Sequence, residues 1–215
     1  MGRRENLDAC EGNFFAARLA VAKEEYKDAL ARLNECLKHR PVFSHAFMLR
    51  SNVNAALGSE HASIEDAQKA KSLNPMDGDI AKVLAFVLYR RNLKLGDNAS
   101  SDQIIETKTA LLRAVALNPT EWRLQSLYAE YISEENPHGA LAIRQRLQKT
   151  APSVENALLL GKMAIKVALR EENAGQKKAL FDIAASSFEK ARAMEPQNRA
   201  VLDNYAEYYR LTGQK

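Results

Sequence analysis

The sequence predicts an all-α chain built from antiparallel helix pairs repeated end to end, and three observations carry the prediction. Between Ser44 and Pro75, residues suited to helix contacts recur at three- and four-residue steps in two separate runs. The first passes through Phe47, Arg50-Ser51 and Asn54, the second through Ser63, Ala67 and Ala70. Such spacing puts each set on one face of a helix. Gly58-Ser59 divides the two runs, and Asn74-Pro75 closes the second, because a residue lacking a backbone N–H stops a helix. Pro41 stands 34 positions before Pro75, so the preceding stretch ends at the same point of the same unit.

The remaining elements follow in order. The first pair opens near Cys10 with Asn13, Ala16-Ala17 and Ala20 on one helix, then Ala29, Leu33 and Cys36 on the next. The third pair begins at Gly78 with Ala81, Leu84-Ala85 and Leu88, and closes with Thr107, Leu111, Ala114 and Asn118-Pro119. Its 44-residue span exceeds the basic unit by ten, and the excess falls at residues 94–102, whose Gly, Asn, Asp and Ser content predicts a loop. Ser101 or Asp102 is the expected cap of the helix that follows. The fourth pair runs from Trp122 through Tyr128-Ala129 and Ile132, turns at 136–139 and ends with Ala140, Arg144 and Leu147 before Pro152. The fifth carries Ala157, Leu160-Gly161 and Ala164, then Ala184, Phe188 and Ala191, with a second expected loop at 171–178. A final helix holds Leu202, Tyr205-Ala206 and Tyr209.

This layout resembles the tetratricopeptide repeat, a helix-turn-helix unit of 34 residues, over about residues 10 to 213. The resemblance implies a right-handed superhelix, a solenoid of antiparallel helix pairs with a concave and a convex side. It divides the chain into an N-terminal extension (1–9), units at about 10–43, 44–77, 78–121, 122–153 and 154–198, and a last helix at 199–213. The register is checked at the position where a unit's first helix meets its own second: Ala17, Ser51, Ala85, Ala129, Gly161 and Ala206 are all small. Arg144 departs from the pattern, standing where a large apolar residue is expected. The last helix has apolar surface with no second helix after it. That predicts either a terminal cap or a chain that is part of a longer protein.

Composition excludes several functions. A net charge of +4 with no Lys/Arg block argues against nucleic acid. The N-terminal residues contain no apolar run for a signal peptide, and no segment is long and apolar enough to span a bilayer, so the chain reads as cytoplasmic. Cys10 and Cys36, without a CxxC pair, read as small buried thiols in a reducing compartment; a bridge between them is a question of geometry. The four histidines lack metal-ligand spacing, no phosphate-binding glycine loop is present, and no cofactor is expected. The chain reads as no enzyme. Ser187-Phe-Glu-Lys190 matches SxxK only as four residues inside a packing helix, and the sequon Asn98-Ala99-Ser100 has meaning only in a secreted chain.

In the tetratricopeptide family the concave face is lined by the first helices. Carried over by position, it draws on Phe14, Phe15 and Arg18 in the first unit and Met48, Leu49 and Asn52 in the second. The third supplies Lys82, Val83, Phe86 and Tyr89, and the fourth Arg123 and Leu127. The family's carboxylate clamp for chaperone C-termini is absent: its positions hold Phe14, Arg18, Leu49, Asp79 and Val83. What remains is an apolar groove suited to a helix or extended peptide of a protein partner. The competing reading is that several of these side chains pack between adjacent units. The expected function is a non-catalytic protein-interaction scaffold. The alternative is the repeat segment of a larger enzyme or membrane-associated assembly factor. Self-association through the tyrosine-rich last helix is a further expectation.

Overall fold

A computed structural model describes residues 2–213, with side chains described from residue 9 onward. Every element among them is helical. The chain divides into two compact modules, residues 1–119 and 120–215. The first holds α1 (Gly2–Ala22), α2 (Tyr26–His39), α3 (Ser44–Ala56), α4 (Glu60–Leu73), α5 (Gly78–Leu95) and α6 (Ser101–Leu117), with a 3-10 turn at Gly96–Asn98. The second holds α7 (Trp122–Ile132), α8 (Pro137–Thr150), α9 (Val154–Arg170), α10 (Ala174–Met194) and α11 (Arg199–Thr212). Helix α1 thus begins within the stretch that the sequence set apart as an N-terminal extension.

Each helix packs on the next within its module, and the small residues explain how they approach so closely. Ala17, Ser51 and Ala85 are fully buried, as is Ala129 to within one per cent. Gly161 shows the requirement most sharply: a Cβ there would lie 2.3 Å from Cε1 of Phe188 on α10. Ala206, the sixth member of the series, is exposed on α11 together with Leu202 and Tyr209.

Both expected loops turn out to be mostly helix. The 94–102 stretch contains the last turn of α5, one 3-10 turn and the start of α6. The cap is Ser100, not Ser101 or Asp102: its Oγ accepts from the Gln103 N–H (3.3 Å), while Gln103 Oε1 accepts from the Ser100 N–H (2.9 Å). The 171–178 stretch shrinks to Glu171–Asn173, because Asn173 accepts from the Gln176 N–H and starts a 21-residue α10. Lys177 and Lys178 are therefore helical. The extra residues of both long units lengthen helices, since the Ala, Leu, Lys and Gln around them are good helix formers.

The turns carry one local cost. Gly58, between α3 and α4, takes a left-handed conformation (φ 78°), and at the matching place between α1 and α2 stands Glu24 (φ 61°). A side chain with a Cβ is disfavoured there by about 1–2 kcal/mol. Glu24→Gly is accordingly expected to stabilise the first module by about 1 kcal/mol, after the greater entropy of the unfolded glycine is subtracted. A higher urea midpoint at unchanged m-value is the result to look for.

The cysteines are buried, as the sequence predicts, and the question of a bridge that it left open is answered. Cys10 and Cys36 are both fully buried and joined in a disulfide that links α1 to α2. Their helices cross at this point, a juxtaposition that sequence spacing alone does not reveal. Among the described residues no helix is long and apolar enough to cross a membrane.

Candidate functional site

In the first module α1 touches α3 and α3 touches α5, so the first helices of its three pairs lie side by side. This layer carries ten of the twelve sequence-derived candidates, in two groups. Phe14 and Leu49 pack against the core of the first two pairs, and Val83 packs against Ala67, Leu84 and Leu88. Phe14 is further held by the Phe43 ring, 4.9 Å away between centroids. The other group faces outward to a greater degree. Phe15 is 61% exposed, Arg18 and Asn52 are exposed, and Met48, Lys82, Phe86 and Tyr89 are half-buried. Lys82 pairs with Asp79 at 2.9 Å. Arg123 and Leu127 belong to the second module, where Arg123 is exposed with its guanidinium 5.3 Å from the Trp122 ring centre.

Below this layer a polar network fixes α3 in place. Asp66 on α4 accepts from Arg50 Nε (2.9 Å) and Nη2 (2.7 Å) and from Asn54 Nδ2 (2.9 Å). Arg50 Nη1 donates to Asn34 on α2 (2.8 Å). The bidentate fork to Asp66 and the single bond to Asn34 together tie α3, which carries Met48 and Asn52, to two neighbouring second helices. His45, at the start of α3, reaches Asp77 at 3.2 Å.

In the second module, Arg144 answers the question raised by its unusual position. It is buried on α8 and donates to the Oγ of Ser126 and to the Ser126 carbonyl (3.0 Å) on α7. Burial pulls its pKa below the ordinary arginine value, and the charges of Glu130 and Glu155 oppose that shift. Glu134, in the α7–α8 turn, is gripped by Lys166 and by Arg170 (2.7 Å) from α9. The hydrogen bond from Lys166, then that from Arg170, holds its carboxyl below the usual range. Its folded pKa is the lower one, so this grip is present at neutral pH and is lost as pH falls through that value.

Sequence reasoning missed these polar features. The Arg50–Asp66 and Arg144–Ser126 pairs join different helices at separations of 16 and 18 residues. One signal was readable: cations stand five and nine positions after both Ala85 and Gly161. Among the described residues no group of three or more His, Cys, Asp or Glu is arranged to hold a metal ion.

No family model matches the sequence, and no curated protein matches it. Solved structures do match. YrrB, described as a TPR protein with an unusual peptide-binding site, is 18% identical over 90% of each chain with a TM-score of 0.71. MamA (residue 41 to the end) from Desulfovibrio magneticus RS-1 is 16% identical, covering 87% of this chain and 98% of its own, with a TM-score of 0.67. A tetratricopeptide repeat protein from Parabacteroides merdae is 12% identical, covering 96% and 75%, with a TM-score of 0.71. At these identities the likeness concerns the fold. The chain has the tetratricopeptide-type, all-α helical-repeat fold that its residues predicted.

Proposed function

We propose that this chain is a non-catalytic interaction scaffold and that the first-helix layer of its first module receives an apolar peptide or helix of a partner protein. The observation that carries the reading is the set Phe15, Met48 and Phe86 on three adjacent first helices, with their apolar surface turned at least partly to solvent. Aromatic and methionine side chains suit such recognition, since they offer large contact area and adapt to a partner's shape. Arg18, Asn52 and Lys82 flank them and would set a peptide's direction. YrrB, a tetratricopeptide repeat protein of the same fold with an unusual peptide-binding site, supports a peptide as the ligand class.

The test is capture of partners from the source cells by this chain and by a Met48→Glu/Phe86→Glu variant of matching helicity and melting temperature. A photo-crosslinker placed at Phe15 identifies what lies on the layer. Loss of the crosslinked partner in the variant is the expected result. Equal capture and crosslinking by both proteins refutes the layer as the site.

The outward stripe of Leu202, Ala206 and Tyr209 on α11 supports a second contact, self-association. At the other five positions of its series the small residue is covered by the following helix, and in α11 it is exposed. A sedimentation coefficient that rises with concentration would bear this out; a monomer across the range would exclude it.

A further inference from the structure

Helices α5 and α9 end alike but meet different neighbours. In α5, Arg90 and Lys94 follow the small residue Ala85 by five and nine positions; in α9, Lys166 and Arg170 follow Gly161 at the same distances. Both helices outrun the first helix before them, with 18 residues against 13 for α3 and 17 against 11 for α7. The extra turns carry the two cations, spaced to share one side of the helix, towards the turn between the preceding pair.

In the second module that turn supplies an acceptor. Lys166 Nζ donates to Ser133 Oγ (3.1 Å) and to Glu134, and Arg170 Nη2 donates to Glu134 (2.7 Å). In the first module the residues matching Ser133 and Glu134 in register are Ala55 and Ala56, which offer no side-chain acceptor. A cavity of about 280 Å³ opens there, with Ala55, Ser63 and Val87 along it and Arg90, Leu93 and Lys94 on the α5 side. Ser63 and Val87 are buried, whereas Leu93 is 69% exposed. Arg90 has no hydrogen-bond or ion-pair partner among the described residues. Lys94 reaches Glu60 at 3.2 Å, an exposed pair that contributes little.

We infer that this cavity binds an acidic side chain of a partner peptide together with an adjoining apolar one. The carboxylate takes the place between Arg90 and Lys94 that Glu134 holds between Arg170 and Lys166. The apolar side chain covers Ala55, Val87 and Leu93. The size fits this occupant, since a space of this volume is small for a cofactor and ample for one or two side chains. Charge fits it as well: two cations oppose the single carboxylate of Glu60. The cavity lining shares no residue with the layer proposed above, so either site can fail without the other.

The probe is the C-terminally amidated peptide Ala-Leu-Glu-Leu-Ala with fluorescein joined to its N-terminal amine, so that its only peptide carboxylate is the glutamate side chain; it is compared with its glutamine counterpart. Fluorescence anisotropy at low salt should show binding of the glutamate peptide and affinity at least about tenfold lower for the glutamine one. Arg90→Ala/Lys94→Ala should lose the same binding at an unchanged melting temperature. A second arm supplies the acceptor within the chain: Ala56→Glu should raise the melting temperature and exclude the peptide, and Arg90→Ala/Lys94→Ala in that background should cancel the rise. Equal affinity for the two peptides, undiminished binding by either variant, or no binding of the glutamate peptide to the parent chain overturns the assignment.

Discussion

Replacing Phe188 by alanine is expected to lower the stability of the second module by about 3–5 kcal/mol, the usual cost of emptying a phenylalanine site in a core. Phe188 is fully buried, and its ring lies 6.0 Å and 6.1 Å from those of Tyr205 and Tyr208. It also fills the notch left by Gly161, which has no side chain to move into the void. Collapse is therefore limited, which places the expected loss in the upper part of that range. Phe188→Leu keeps most of the volume and should cost about 1–2 kcal/mol. Urea unfolding followed by tyrosine fluorescence reads both variants. A loss under about 1 kcal/mol for the alanine variant would mean that α9, α10 and α11 repack freely, contrary to the tight crossing described.

Asp66→Ala is expected to destabilise the first module by about 3 kcal/mol, near the lower end of the cost of removing one partner from a buried ion pair. The substitution strands the Arg50 guanidinium and the Asn54 amide together, and Arg50 is itself mostly buried. Arg50 retains its bond to Asn34 and some solvent access, which keeps the effect from being larger. Replacing both members by apolar residues of similar volume, Arg50→Met with Asp66→Leu, should restore much of the loss, because no charge is then left buried. Chemical denaturation of the single and double variants checks this. A double variant as unstable as Asp66→Ala would show that the network holds a conformation rather than merely satisfying its own charges.

The fold was legible in the sequence wherever the determining physics is local. A proline disfavours helix in the residue before it, and Pro41, Pro75, Pro119, Pro152 and Pro196 each stand two residues after a helix end, so they marked the unit ends. A helix crossing admits only a small side chain, and Ala17, Ser51, Ala85, Ala129 and Gly161 announced it. Reading failed where local composition pulled against its surroundings. Gly96-Asp97-Asn98 suggested a long loop, yet they form one 3-10 turn between two extended helices. The candidate layer was legible only to the level of which helix face a residue occupies. Residues placed on that face by position divide in the structure, Phe14, Leu49 and Val83 seating against the core while Phe15 stays in solvent. Helical periodicity cannot distinguish these, since a seam between two first helices lies on the same side as the open face. Contacts between helices, such as Arg50 with Asp66 or Cys10 with Cys36, were beyond it for the same reason.

The interlock of Gly161 with Phe188 also constrains the order in which this sequence can change. A methyl group at position 161 would collide with the ring, while a smaller side chain at 188 leaves a gap that glycine cannot fill. A lineage exchanging this pair must therefore shrink 188 first and fill 161 second. The reverse path passes through a chain whose α9 and α10 are forced apart, so the effect of either substitution depends on which one came before it.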